Sequence, residues 1–178
     1  MTSLLIATAL STANAAPESA PDTIEISRDA TDIGNRFKTG IGVHVGTPAG
    51  ITGKLFTGEH QGIVANLEYD PLFSGMMGAR AGYEFRVARL GEWHWGVVDL
   101  NGEAVAAVQG RPGGGELPGA FRAGAGGGLT ASVLLKETPL EIYSELQLLA
   151  YPLALAGGTY WTGGIVGMNG GMGVRYYF

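Results

Sequence analysis

The sequence contains no cysteine. No disulfide framework is available, so stability has to come from a core or from a closed sheet. Charge is also scarce: 15% of the 178 residues are charged, and the formal net charge is −5. That balance supplies no basic patch of the kind nucleic acid requires, so no nucleic-acid partner is expected. No continuous apolar run has the length of a membrane-spanning helix, and the short one at residues 4–10 cannot cross a bilayer. Glycine is abundant at 31 residues, yet it falls inside alternating apolar segments without a Gly-X-Y period. Bulges, tight bends and a crowded interior account for such glycines better than low complexity does.

The first residues resemble an export signal. Leu4 to Leu10 form a short apolar core, and Ala13-Asn14-Ala15 places small residues at the cleavage positions, although no basic residue precedes Leu4. Residues 1–15 are therefore expected to be a signal peptide, with a short buried helix as the alternative. Residues 16–38 carry Pro17, Pro21, Glu18, Asp22, Glu25, Asp29 and Asp32 and show neither strong hydrophobicity nor a period. A flexible segment is expected there, or a tail that docks a partner.

From Gly40 onward the pattern has period two, which marks strands with two unlike faces. Residues 40–46 set Ile41, Val43 and Val45 against Gly42, His44 and Gly46, and 47–50 read as a turn. Residues 51–57 set Ile51 and Leu55 against Thr52 and Lys54, with Phe56 breaking the rule. Next, Ile63, Ala65, Leu67 and Tyr69 oppose Asn66 and Glu68. Over 75–89, Met77, Ala79, Ala81, Tyr83, Phe85 and Val87 oppose Gly78, Arg80, Gly82, Glu84 and Arg86. Over 94–109, Val98, Leu100, Ala104, Ala106 and Val108 oppose Asp99, Asn101, Glu103 and Gln109. Over 120–136, Phe121, Ala123, Ala125, Leu129, Ala131, Val133 and Leu135 oppose Arg122, Thr130, Ser132 and Lys136. The seventh segment sets Leu140, Ile142, Leu146 and Leu148 against Glu141, Tyr143, Glu145 and Gln147. In the eighth, Val166, Met168, Met172, Val174, Tyr176 and Phe178 oppose Asn169 and Arg175.

Several segments exceed the about 9–11 residues that a tilted strand needs to cross hydrocarbon, and eight is an even number. An open sheet cannot reside in lipid, because its edge amides would lack partners; membrane residence therefore entails closure. Connections at 58–61, 90–92 and 137–139 are short, whereas those at 111–119 and 156–164 are longer. Aromatic residues divide in the same sense. Phe85, Trp93, Trp95, Tyr176 and Phe178 belong to the short-turn edge; Tyr69, Phe73, Phe121, Tyr151, Tyr160 and Trp161 belong to the other. Two belts of this kind suit rings at headgroup level.

The terminal strand, with Gly173, Tyr176 and Phe178, carries the most specific resemblance. Over residues 39–178 the chain resembles the small eight-stranded bacterial outer-membrane barrels of the OmpA and OmpX type. The resemblance implies an all-β, eight-stranded antiparallel up-and-down transmembrane barrel, exported by a cleaved signal, with residues 16–38 in the periplasm. It also implies contact with outer-membrane lipid and lipopolysaccharide, and passage through the barrel-assembly machinery, for which Gly173, Tyr176 and Phe178 look like the recognition signal. No functional subfamily is matched, so no functional residue is carried over.

An eight-stranded interior is just wide enough for side chains. The expected lumen holds Lys54, Glu68, Arg80, Glu84, Arg86, Asp99, Glu103, Arg122, Glu141, Glu145 and Arg175. Charges there must pair or meet water. The favoured reading is a plugging network in a non-enzymatic barrel that is structural, or that binds lipid or an envelope protein. A narrow solute channel is the alternative. A lipid-modifying hydrolase would need a nucleophile and a base within reach, and only His44, with Asp70 and Ser74 on the neighbouring loop, comes near that specification. No His/Cys/Asp spacing points to a metal, and no cofactor motif is present; the glycines at 124–128 fall within a strand rather than before a helix. Alternation alone leaves open a secreted, water-soluble barrel of lipocalin type, whose faces would be exchanged.

Overall fold

Which face of each strand turns inward decides the character of the protein, and the pairing of the strands fixes that. The computed structural model describes residues 38–70, 75–113, 119–156, 159–161 and 165–178. The expected signal peptide and all but the last residue of the N-terminal segment lie outside them, as do Phe73 and Ser74.

The strands are β1 Thr39–Thr47, β2 Ala49–Gly58, β3 Gln61–Asp70, β4 Met76–Glu92, β5 Gly96–Arg111, β6 Ala120–Leu135, β7 Leu140–Ala156, β8 Thr159–Trp161 and β9 Ile165–Tyr177. From β1 to β8 each strand pairs antiparallel with the next in sequence, β7 pairs with β9 as well as with β8, and β9 returns to β1 through Arg175↔Gly42 and Gly170↔Thr47. The short β8 continues the eighth stave: Trp161 pairs with Ala154 of β7 just beyond the Ile165↔Tyr151 pair of β9. The result is an eight-stranded antiparallel closed barrel in up-and-down order, and closure removes the edges that an open sheet would leave unpaired.

Its two ends differ. At one, which we term the turn end, β2 and β3 are joined by residues 59–60, β4 and β5 by 93–95, and β6 and β7 by 136–139. The opposite, loop end carries the other connections. The walls differ too, because β4 to β7 run 16 or 17 residues while β1 to β3 run 9 or 10.

The β4–β5 turn departs from the sequence expectation. It lies at Trp93-His94-Trp95, not at 90–92, and the backbones of Trp93 and Gly96 exchange hydrogen bonds across it. Two register shifts, between Arg86 and Ala88 and between Arg89 and Gly91, lengthen β4 past the point where simple alternation would stop it. β1 lies very close to β9: a Cβ added at Gly42 would run into the Val174 carbonyl oxygen.

Residues of alternate parity separate cleanly. Ile41, Val43, Leu67, Met77, Leu129, Leu146, Val166 and Met172 are exposed, while Thr52, Lys54, Asn66, Glu68, Arg80, Glu84, Glu141 and Arg175 are buried. Phe56 obeys the rule after all. It faces inward with Thr52 and Lys54, its ring 5.2 Å from that of Tyr177 and 4.9 Å from the Lys54 ammonium.

Candidate functional site

Burying a charge is costly unless it is paired and hydrogen-bonded, so the interior is best described by who pairs with whom. Nearest the turn end, Arg86 and Arg89 reach Asp99 at 3.4 and 3.3 Å. These groups are half-buried and close that mouth. Lys136 holds Glu92 at 2.6 Å on the rim.

Above them lies a four-charge layer. Lys54 on β2 spans the lumen to Glu84 on β4 (2.5 Å) and Glu141 on β7 (3.1 Å). The second oxygen of Glu141 accepts from Arg175 Nη1 at 3.1 Å and from the Tyr177 hydroxyl. Arg175, only 1% exposed, also donates to Thr52 Oγ1 at 3.1 Å and lies 3.8 Å from the Tyr143 ring centre. Two cations and two carboxylates leave this layer balanced. Tyr143 fits because Gly173 faces it: a Cβ there would come within 2.5 Å of the phenol oxygen.

The middle layer centres on Arg80. Its guanidinium meets Glu68 at 2.8 Å and also bonds Glu145 and Gln147. The Asn66 amide fits when turned to donate to Thr52 Oγ1 (2.6 Å) and accept from Arg80 Nη2 (2.8 Å). Gln147 passes a hydrogen bond on to Glu103. His44 stacks on Tyr143 with ring centres 6.1 Å apart and lies 3.8 Å from Glu145. Glu68 and Glu145 thus meet one guanidinium directly, and Glu103 joins it through Gln147, so carboxyl groups outnumber cations in this layer.

Toward the loop end Arg122 donates to Gln109 Oε1 (2.7 Å) and lies 4.5 Å from the Tyr151 ring centre. Val105, Ala107, Leu149 and Tyr151 form an apolar cluster inside the wall here. Tyr151 therefore corrects the sequence expectation. It has no exposed surface and belongs to the lumen, not to an outward belt. Its parity with Glu141, Tyr143, Glu145 and Gln147 on β7 places it inside.

The remaining aromatics have these positions. Tyr69 and Phe121 are exposed toward the loop end; Phe85, Trp93, Trp95 and Tyr176 are exposed toward the turn end. Trp93 and Trp95 stack with ring centres 5.7 Å apart. Phe178 follows β9, exposed, with its amide bonded to the Thr39 carbonyl. The side chains of Tyr160 and Trp161 lie outside the described residues.

Sequence reasoning gave the charged members of these layers and set Asn66, Tyr143 and Gln147 on the same face, but not the part that these neutral groups and Tyr177 play in joining the charges. Strand parity carried the signal, since all four share the inward face. Chemically, the layers immobilise charge and hold little space. Between Lys54, Glu84, Asn101 and Glu141 the cavity is about 40 Å³, little more than the roughly 30 Å³ that one liquid water occupies. No protein-family model, curated protein or solved structure matches this chain, so its function has to be argued from these residues alone.

Proposed function

We propose that this protein is a non-enzymatic barrel of the bacterial outer membrane, with a structural role or one in binding lipid or an envelope protein. The observation that supports this best is the inversion of the usual distribution: large apolar side chains cover the outside, and charged ones fill the centre. A water-soluble barrel would have to leave that outer surface against water, where apolar patches above a few hundred Å² mark an interaction site. Lipid removes the cost at once. The 16- and 17-residue strands supply ample length for a tilted crossing, and outward aromatics at both ends suit headgroup levels.

Under this reading residues 1–15 export the chain, and residues 16–38 remain periplasmic. The barrel-assembly machinery engages the strand bearing Gly173, Tyr176 and Phe178. Layered ion pairs then serve as a rigid, closed filling rather than a conduit. The test is fractionation of expressing cells. Folded protein should band with outer membranes on a density gradient, resist alkaline extraction and show heat-modifiable mobility on gels. Recovery of folded monomer in the periplasmic fluid would contradict the proposal.

A further inference from the structure

The barrel wall has a notch. β1 stops pairing with β9 at Thr47↔Gly170 and turns at Pro48 into β2, whereas β9 runs on through residues 165–169 paired with β7 alone. Among the described residues no strand covers that edge of β9. A cavity of about 360 Å³ opens there, bounded by Thr47 and Pro48 below, Asn169 on β9, Asp70 on β3, and Gln109 and Arg122 on the far wall.

Two buried polar atoms, one lining this cavity and one beside it, lack a well-aligned hydrogen bond. Asn169 is 6% exposed and aims its side chain inward beside the Tyr151 hydroxyl, yet Nδ2 makes no well-aligned hydrogen bond. The Tyr151 ring lies across Gly167, a lining residue, and under Arg122, and its hydroxyl is likewise unsatisfied. Leaving such groups dry costs free energy, so an orphaned buried donor calls for a ligand or a water. With the Arg122 guanidinium they present donors toward one space. Asp70 and, one layer down, the Arg80-paired Glu68 temper the positive charge. A singly charged oxyanion suits this lining better than a dianion.

We propose that the notch admits the headgroup of a phosphodiester lipid from the surrounding leaflet. Asn169 Nδ2, the Tyr151 hydroxyl and Arg122 receive the phosphate, and the acyl chains stay outside along the apolar wall beside Met168. The inference rests on the membrane reading above: it makes lipid binding specific and gives it a place. A lateral opening, not an axial one, is what allows the two ends of an amphiphile to sit in two different media.

The full chain in dodecyl maltoside micelles, which contain no phosphate, is titrated calorimetrically with dihexanoyl phosphatidylglycerol and separately with inorganic phosphate. Saturable binding of the lipid, with inorganic phosphate failing to compete, is expected. Asn169→Asp, nearly isosteric, and Arg122→Gln should each weaken it at least about tenfold, as expected for a lost hydrogen bond to a charged group. Equal binding of inorganic phosphate would overturn the lipid assignment, and unchanged binding in both variants would overturn the site. Vesicle flotation of the same sample separates the two levels. A barrel that floats, migrates as folded and binds nothing refutes only the notch, whereas one that fails to insert refutes the membrane reading and the notch with it.

Discussion

Replacing Lys54 by Met keeps the aliphatic stem and removes the charge that ties β2 to β4 and β7. Glu141 would keep Arg175 at 3.1 Å and the Tyr177 hydroxyl. Glu84, 3% exposed, would lose the ammonium it meets at 2.5 Å. The dominant cost is therefore one uncompensated buried carboxylate, about 3–5 kcal/mol for breaking a buried pair. With a urea slope of about 1–3 kcal/mol/M, the unfolding midpoint should fall by on the order of 2 M. The assay is reversible urea unfolding in lipid vesicles, followed by tryptophan fluorescence. A second change, Glu84→Gln, removes the stranded charge and should restore most of the loss, so the double variant is more stable than Lys54→Met alone. A loss below about 1 kcal/mol in the single variant, or further destabilisation in the double, would refute the claim that these charges are desolvated partners.

Three more outcomes are expected. Gly42→Val should destabilise the barrel by at least about 2 kcal/mol in the same assay, because its Cβ meets the β9 backbone at Val174 rather than a movable side chain. Leu129→Arg, on the outward face, should reduce stability in vesicles by about 2–4 kcal/mol if it lies near the bilayer midplane; a neutral effect would argue for water around that residue. In planar bilayers the protein should carry no steady current, because layered ion pairs occupy the lumen; stable single-channel steps from the purified barrel would show that the filling is not closed.

Much of the wall was legible from period two, because outward and inward residues alternate along β3, most of β9 and the middle of β4. The errors have physical causes. Tyr151 read as an interface aromatic because its residue type outweighed its parity; a tyrosine can fill a lumen when glycines such as Gly124 and Gly167 clear space for the ring. The β4–β5 turn shifted because bulges consume residues without advancing the ladder, and no local residue pattern announces them. Partnerships were the least legible. Lys54 to Glu141 and Arg80 to Gln147 join residues far apart in sequence, and only closure of the barrel brings them face to face. The wall notch was likewise invisible before register was known, since it depends on where β1 stops against β9.

The central claim is that the apolar outside meets lipid and the charged inside does not. Nitroxide labels at Leu129 and Leu146, paired outward neighbours on β6 and β7, test it directly when compared with a label at the rim residue Glu59. In vesicles, oxygen should relax the first two strongly and a water-soluble nickel complex should not, with the reverse at Glu59. Equal access of the nickel complex to all three would contradict the account.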